Sequence, residues 1–224
     1  MATAELPAPI RIRKAALALF AARGYDATGI RDIAEAASIP SSLLYHYSRS
    51  KEEILRDLVT DGLARHLESS RRALELGRSP EERIRALVAV HVLVPIRNPD
   101  MARLMESEVR ALTPASRQAV QSLRIEGDRR WESVLREGAE AGVFEVPDVR
   151  LARRLLRRMC TGVWLWFNPD EDSVEDVVVG MTDHALALVR AARGGRPLRG
   201  ADLVEPAVDR VREIVDAAHG EEVG

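Results

Sequence analysis

The stretch from Thr28 to Tyr47 constrains this chain more than any other. Ile30, Ile33, Ala34 and Ala37 recur at i, i+3, i+4 and i+7, the spacing of one helix face. Ser38-Ile39-Pro40 then interrupts the pattern, because proline has no N–H to donate and clashes with a continuing helix. A second short helix is expected from about Ser41 to Tyr47, with Leu44 as its apolar anchor. Helices of about two turns are marginal in isolation, so this pair must pack on a neighbour. The preceding segment supplies one through Ile12, Ala16, Leu19 and Phe20, with Gly24 as the expected stop. Thr28 is the expected N-cap of the second helix.

Helical punctuation continues beyond it. Ser50-Lys51-Glu52-Glu53 reads as a capping box opening a longer helix through Ile54, Leu55, Leu58, Leu63 and Leu67. Ser79-Pro80-Glu81-Glu82 opens another, which runs through an apolar stretch to Ile96 and stops near Asn98-Pro99. Further helices are expected over Met101–Leu112, Ala115–Ala141, Asp148–Phe167 and Ser173–Ala192. Gly194-Gly195-Arg196-Pro197 reads as a linker before a last amphipathic helix, about Asp202 to Ala218. Convincing alternating segments are absent, so the expected fold class is all-α. The expected organisation is a head over 8–50, a body over 51–193, and a linker with a C-terminal helix over 194–224.

Composition bounds the function. Cys160 is the one cysteine, which excludes a disulfide framework and a multi-thiolate metal site. Met1 to Lys14 has no apolar core of a secretory signal, and no uncharged stretch reaches a membrane span of roughly 20 residues. A cytoplasmic protein without a membrane partner is expected. The formal charge is −2, but it is unevenly spread. Residues 8–56 hold eight basic and five acidic side chains, a head of +3 on a remainder of −5. Such an asymmetry suits a head that meets a polyanion.

Two short helices joined by a three-residue turn and packed on a third form the minimal unit that lays a helix in the DNA major groove. Small side chains, Ser41 and Ser42, open the second helix with Leu43, and Tyr45, His46 and Tyr47 follow. Lys51, at the start of the next helix, adds its charge to that helix's positive end and suits a phosphate. Spacing alone fits this unit or an ordinary αα-corner with exposed aromatics.

Residues 10–60 also carry Phe20, Gly24-Tyr25, Thr28, Ile30-Arg31-Asp32-Ile33-Ala34, Ala37, Leu44-Tyr45 and Ser50-Lys51-Glu52. In these residues the chain resembles the TetR/AcrR family of bacterial regulators. The resemblance implies a homodimeric repressor that binds a double-stranded DNA operator and responds to a small-molecule effector. By position it implies that Arg31, Ser41, Ser42, Leu43, Tyr45, Tyr47 and Lys51 touch DNA. Arg31 suits a phosphate or a guanine edge, and the Tyr45 and Tyr47 hydroxyls suit phosphates. Ser41, Ser42 and Leu43 then face base edges, while His46 points outward. Four positions depart from the family pattern. Ser38 and Ser42 replace usual glycines, Pro40 a usual serine, and Ser48 a usual phenylalanine. Ser38 introduces strain if its φ is positive.

In the body, Met159 to Phe167 carries no charge, and a wide apolar stripe follows from Val174 to Ala192. Helices apolar on more than one face need cover, and an isologous dimer of these two helices supplies it; burial in a monomer core is the alternative. His91, Met101, Met105, Trp131, Leu135, Met159, Val163 and Trp166 are the candidate lining of an effector pocket, and plain core packing explains each of them equally. An aromatic or acyl-type effector is expected, with constitutive or partner-controlled DNA binding as the alternative. No enzyme is expected. Ser48-Arg49-Ser50-Lys51 matches S-x-x-K without partner motifs, and Cys160 lies in an apolar run with no base beside it. His46, His66, His91, His184 and His219 have no ligand spacing, so neither a metal nor a cofactor is expected.

Overall fold

A computed structural model describes residues 6–203 and 205–220. Ten α-helices are present among these residues: α1 (Ala8–Arg23), α2 (Ile30–Ala36), α3 (Ser41–Tyr47), α4 (Lys51–Leu74), α5 (Pro80–Arg97), α6 (Pro99–Ser107), α7 (Pro114–Glu140), α8 (Val149–Thr161), α9 (Val174–Leu188) and α10 (Val208–His219). The chain separates into two compact units. One holds the residues up to Ala64 together with Pro99–Leu123, and the other holds Arg65–Asn98 and the chain from Arg124 onward.

The first unit closes over Ile12, Ala16, Phe20, Ile33, Leu44, Leu55, Leu58 and Leu104. Its helices end where the local chemistry directs. Gly24 stops α1 at φ +82, with its N–H on the Phe20 carbonyl at 2.9 Å. Thr28 is not the N-cap. It is buried, and its hydroxyl donates back to Gly24 O at 2.8 Å. Gly29 takes the cap position, and the Asp32 carboxylate reaches back to its N–H at 2.8 Å. Ser38 adopts φ +54 in the turn between α2 and α3, a conformation in which any side chain carries strain. Ser50 accepts from the Glu53 N–H at 3.1 Å, while the Glu53 carboxylate accepts from Arg49 N–H at 2.6 Å. α6 ends at Ser107, and a 3₁₀ turn carries Glu108–Ala111 instead of a continuous helix to Leu112.

The second unit is built around α5, whose side chains are buried on nearly every face. It packs against α8, α9 and α10. Caps are again local: Asp148 accepts from Leu151 N–H at 2.9 Å, and Ser173 from Asp176 N–H at 3.3 Å. The expected helix to Phe167 stops at Thr161. Gly162, a weak helix former, ends it, and Val163–Leu165 follow as a 3₁₀ turn. α9 ends at Leu188, short of Ala192, because Arg190 turns left-handed at φ +48.

The expected linker is a hairpin turn. Ala192 pairs with Pro197 and Arg193 with Arg196, and Gly194 and Gly195 take φ +58 and +78, as a two-residue turn with two positive φ values requires. A 3₁₀ turn occupies Gly200–Asp202, and the last helix starts only at Val208. Val204 lies outside the described residues. The C-terminal segment folds onto its own chain through buried Arg85, which donates to Pro206 O and Gly200 O at 3.0 Å each. Buried Glu81 pairs with Arg193.

Candidate nucleic-acid interface and the buried polar cluster

α3 turns Leu44 into the core and leaves Ser42, Tyr45, His46 and Tyr47 open. Tyr45 and Tyr47 are 56% and 46% exposed, and Ser42 and His46 are exposed beside them. Ser41 and Leu43 are half-buried. Large aromatics held outward on a short rigid helix have no packing reason to be there. Arg31 is exposed at the second residue of α2. Of the sequence-derived residues on α2 and α3, Arg31, Ser42, Tyr45 and Tyr47 are therefore exposed on one unit, whereas Ser41 is half-buried and Leu43 packs partly on its core. Lys51 is different. Its ammonium donates to Tyr25 O at 2.7 Å and Thr28 O at 2.9 Å, and it lies over the Tyr25 ring, 4.0 Å from the centroid.

The second unit encloses a polar cluster that the spacing of the histidines did not reveal. His91 donates from Nδ1 to the Leu87 carbonyl at 2.8 Å, since a carbonyl can only accept. Its Nε2 is then the bare nitrogen of a neutral ring. Trp131 Nε1–H donates to that nitrogen at 3.1 Å, and His66 Nε2 also lies 3.1 Å from it. His91 Nε2 thus accepts from the indole, and the tautomer of His66 decides whether its Nε2 donates to the same nitrogen. The rings meet edge to face, His66 on His91 at 4.3 Å and His91 on Trp131 at 5.1 Å between centroids.

Burial keeps the cluster neutral. It pushes His91 down to about 3, with the Arg157 charge acting the same way and the Leu87 carbonyl opposing. Burial also holds His66 well below the usual histidine range, helped by His91, His219, Arg157 and Arg130. His219, on α10, is lowered to about 4 by burial and by Arg65, against Asp216. Folded pKa values below the unfolded value of about 6.5 mean that the unfolded chain takes up protons first. Stability should be independent of these groups above pH 6.5. Below it, each histidine should remove about 1.4 kcal/mol per pH unit until its folded pKa is reached. Denaturant titrations between pH 7 and 4.5 check this: His66→Asn and His91→Asn should each flatten the profile.

Trp131, Leu135 and Val163 are fully buried in the core around this cluster, with Met159 packed against it. Met101 and Met105 do not join them. They belong to the first unit, where they press on Gly62; a Cβ there would lie 2.7 Å from Met105 Cε. Trp166 is 51% exposed and lines no interior. A surface cavity of about 480 Å³ lies elsewhere, between the end of α9 and the hairpin, lined by Asp183, Leu186, Arg190 and Leu198 among others. Cys160 is buried, and burial pushes its thiol up to about 12, so it is not a thiolate nucleophile. No His, Cys, Asp and Glu grouping suited to a metal is present among the described residues, and no helix there is long and apolar enough to cross a membrane.

Residues 12–58 match the family model for bacterial regulatory proteins of the tetR family, and residues 77–189 match that for the tetracyclin repressor-like C-terminal domain. The chain belongs to the TetR family. This TetR-family protein is 33% identical over 169 residues to the HTH-type transcriptional repressor KstR2 of Rhodococcus jostii RHA1, covering 73% of this chain and 81% of that one. A solved regulatory protein of the family from Rhodococcus RHA1 superposes with a TM-score of 0.78 at 25% identity, covering 84% of this chain and all of the other. The ketosteroid transcriptional regulator KstR2 of Mycobacterium tuberculosis superposes at 0.69 with 27% identity, covering 80% and 90%. The TetR family is one of DNA-binding transcriptional regulators, not enzymes, and the all-α architecture with an N-terminal helix-turn-helix agrees with it.

Proposed function

We propose that this chain is a homodimeric repressor released from a palindromic operator by a small apolar effector of aromatic or acyl type. The observation that carries the DNA-binding part is α3. It is anchored by Leu44, with Leu43 and Ser41 half-buried, and it presents Ser42, Tyr45 and Tyr47 outward, while Arg31 is exposed on α2. In this reading, residues 8–50 are the DNA-binding head, 51–193 carry dimerisation and effector binding, and 194–224 are the connecting segment and C-terminal helix. Ser41, Ser42 and Leu43 face base edges, and the tyrosine hydroxyls set register on phosphates.

Exposed apolar side chains support dimerisation. Leu151 and Leu155 on α8 are 52% and 49% exposed, and Leu165 and Trp166 on the following turn are 62% and 51%. Such residues close together on one stretch of chain suit a self-complementary interface. His66, His91 and Trp131, polar rings gathered in an otherwise apolar core, support an effector with a hydrogen-bonding group on an apolar body, such as the carbonyl of an acyl group or a ketosteroid. KstR2 being called a ketosteroid regulator points the same way. His66 sits on α4, the helix that begins at Lys51, so an effector there biases the helix that starts against the head.

The test is binding to duplex DNA from the region upstream of the chain's own gene, with sedimentation in parallel. A dimer that shifts this fragment and is released by a fatty acyl thioester or a ketosteroid supports the whole reading. Leu155→Glu should convert it to a folded monomer that binds at least tenfold more weakly. Release by neither compound assigns control to a protein partner or to none.

A further inference from the structure

Lys51 is the first residue of α4, a position from which a lysine can meet either a phosphate or the protein itself. The ammonium has three N–H donors and no acceptor. Two of them are engaged by the carbonyls of Tyr25 and Thr28, at 2.7 and 2.9 Å, and the ring of Tyr25 lies 4.0 Å beneath the nitrogen. Both carbonyls belong to the loop between α1 and α2, where no helix ladder supplies a donor for Thr28 O. The Tyr25 carbonyl also accepts from Thr28 N–H at 3.2 Å. The loop is also held from within. Thr28 is buried with its hydroxyl on Gly24 O, and the Tyr25 ring meets Phe20 of the core at 5.4 Å. Gly29 follows directly as the cap of α2, which presents Arg31 one residue into the helix. The loop's position therefore sets where α2 begins and where Arg31 stands.

We propose that Lys51 is a positioning residue. It ties the α1–α2 loop to the first turn of α4 and so fixes the face that reads DNA, instead of contacting the DNA backbone. The proposal rests on the DNA-binding reading above. It also makes Lys51 the point at which a movement of α4 pulls on the loop, because the tie leaves from the end of that helix.

The experiment uses the full chain and two duplexes: one selected by the unmodified protein from a random-sequence pool, and its scrambled counterpart. Lys51→Met keeps the aliphatic stem and removes the donors. Positioning predicts a dissociation constant raised about tenfold on the selected duplex and a smaller change on the scrambled one, so that the specificity ratio falls. The slope of log affinity against log salt should stay within about 0.3 of the parent value, because no phosphate contact is lost. Amides of residues 25–34 should exchange faster in the free protein. Tyr25→Leu, which alters no charge, should act in the same direction, and the double variant should be no weaker than the weaker single. A slope reduced by about 0.9 or more per head, with affinity lost equally on both duplexes, would assign Lys51 to a phosphate and overturn the proposal. Unchanged affinity in Lys51→Met, or additive effects in the double variant, overturn it as well. A parent protein from which no duplex can be selected overturns the DNA-binding reading itself, a result distinct from each of these.

Discussion

Gly138→Ala is expected to lower the unfolding free energy by about 3 kcal/mol. α7 ends in a Schellman turn, in which Gly142 is left-handed at φ +68 and Val143 N–H bonds to the Gly138 carbonyl at 2.9 Å. That turn sends Phe144 back along the helix, and its buried ring seats directly on Gly138. A Cβ at residue 138 would lie 1.8 to 2.6 Å from three atoms of the ring. The alanine itself favours a helix by about 1 kcal/mol over glycine, so the clash has to outweigh a gain. It does, because the ring has to leave its site, and displacing a buried phenylalanine costs about 3–5 kcal/mol. Urea unfolding measures the loss. In the Phe144→Ala background the same substitution should be neutral or stabilising, since nothing remains to collide with. A variant within 1 kcal/mol of the parent would show that the ring is not held there.

The second large effect concerns DNA and leaves stability unchanged. Arg31→Ala and Tyr45→Phe remove exposed groups, so their melting curves should match the parent within about 0.5 kcal/mol. In the proposed dimer on a palindrome, each loss counts twice. A bidentate arginine contact carries about 1–3 kcal/mol of discrimination, so Arg31→Ala should weaken operator binding by about 2–6 kcal/mol, from thirtyfold to more than a thousandfold. In the proposed reading Tyr45→Phe deletes a hydrogen bond to a phosphate oxygen in each head, so it should cost about 3 kcal/mol in total, or about a hundredfold. Titration of the same duplex with each variant gives both numbers. Leu44→Ala is the contrast: it is buried, so it should lose binding by unfolding the head.

Among the sequence expectations, those that rest on neighbouring residues agree best with the structure. Ser79 and Ser173 cap helices where they were expected, and Asp148 caps the helix expected to start at it, because a cap is a bond between groups two or three residues apart. Leu44 faces inward and Tyr45 outward because helical period decides the face of a two-turn helix. Thr28 shows the limit. Its residue type suits a cap, yet it is drawn into the core, and Asp32 completes the cap from the other side. The Gly194-Gly195 pair read as a linker because a hairpin of two residues per strand is too short to alternate.

Residue types along the chain determined an all-α protein with two short helices joined by a tight turn and an uneven charge, since these follow from period, punctuation and composition; the resemblance to the TetR/AcrR family made that pair a helix-turn-helix. Tertiary structure alone decided which groups share one environment. His66 and His91 stand 25 residues apart, and Trp131 a further 40, with no common period. Only the packing of α4, α5 and α7 brings the ring nitrogens of His66 and Trp131 each to 3.1 Å from His91 Nε2 and removes the water that would otherwise meet them. Lys51 is the same case. Its position at a helix start suits a phosphate, and only the folded loop places two carbonyls where the ammonium meets them first.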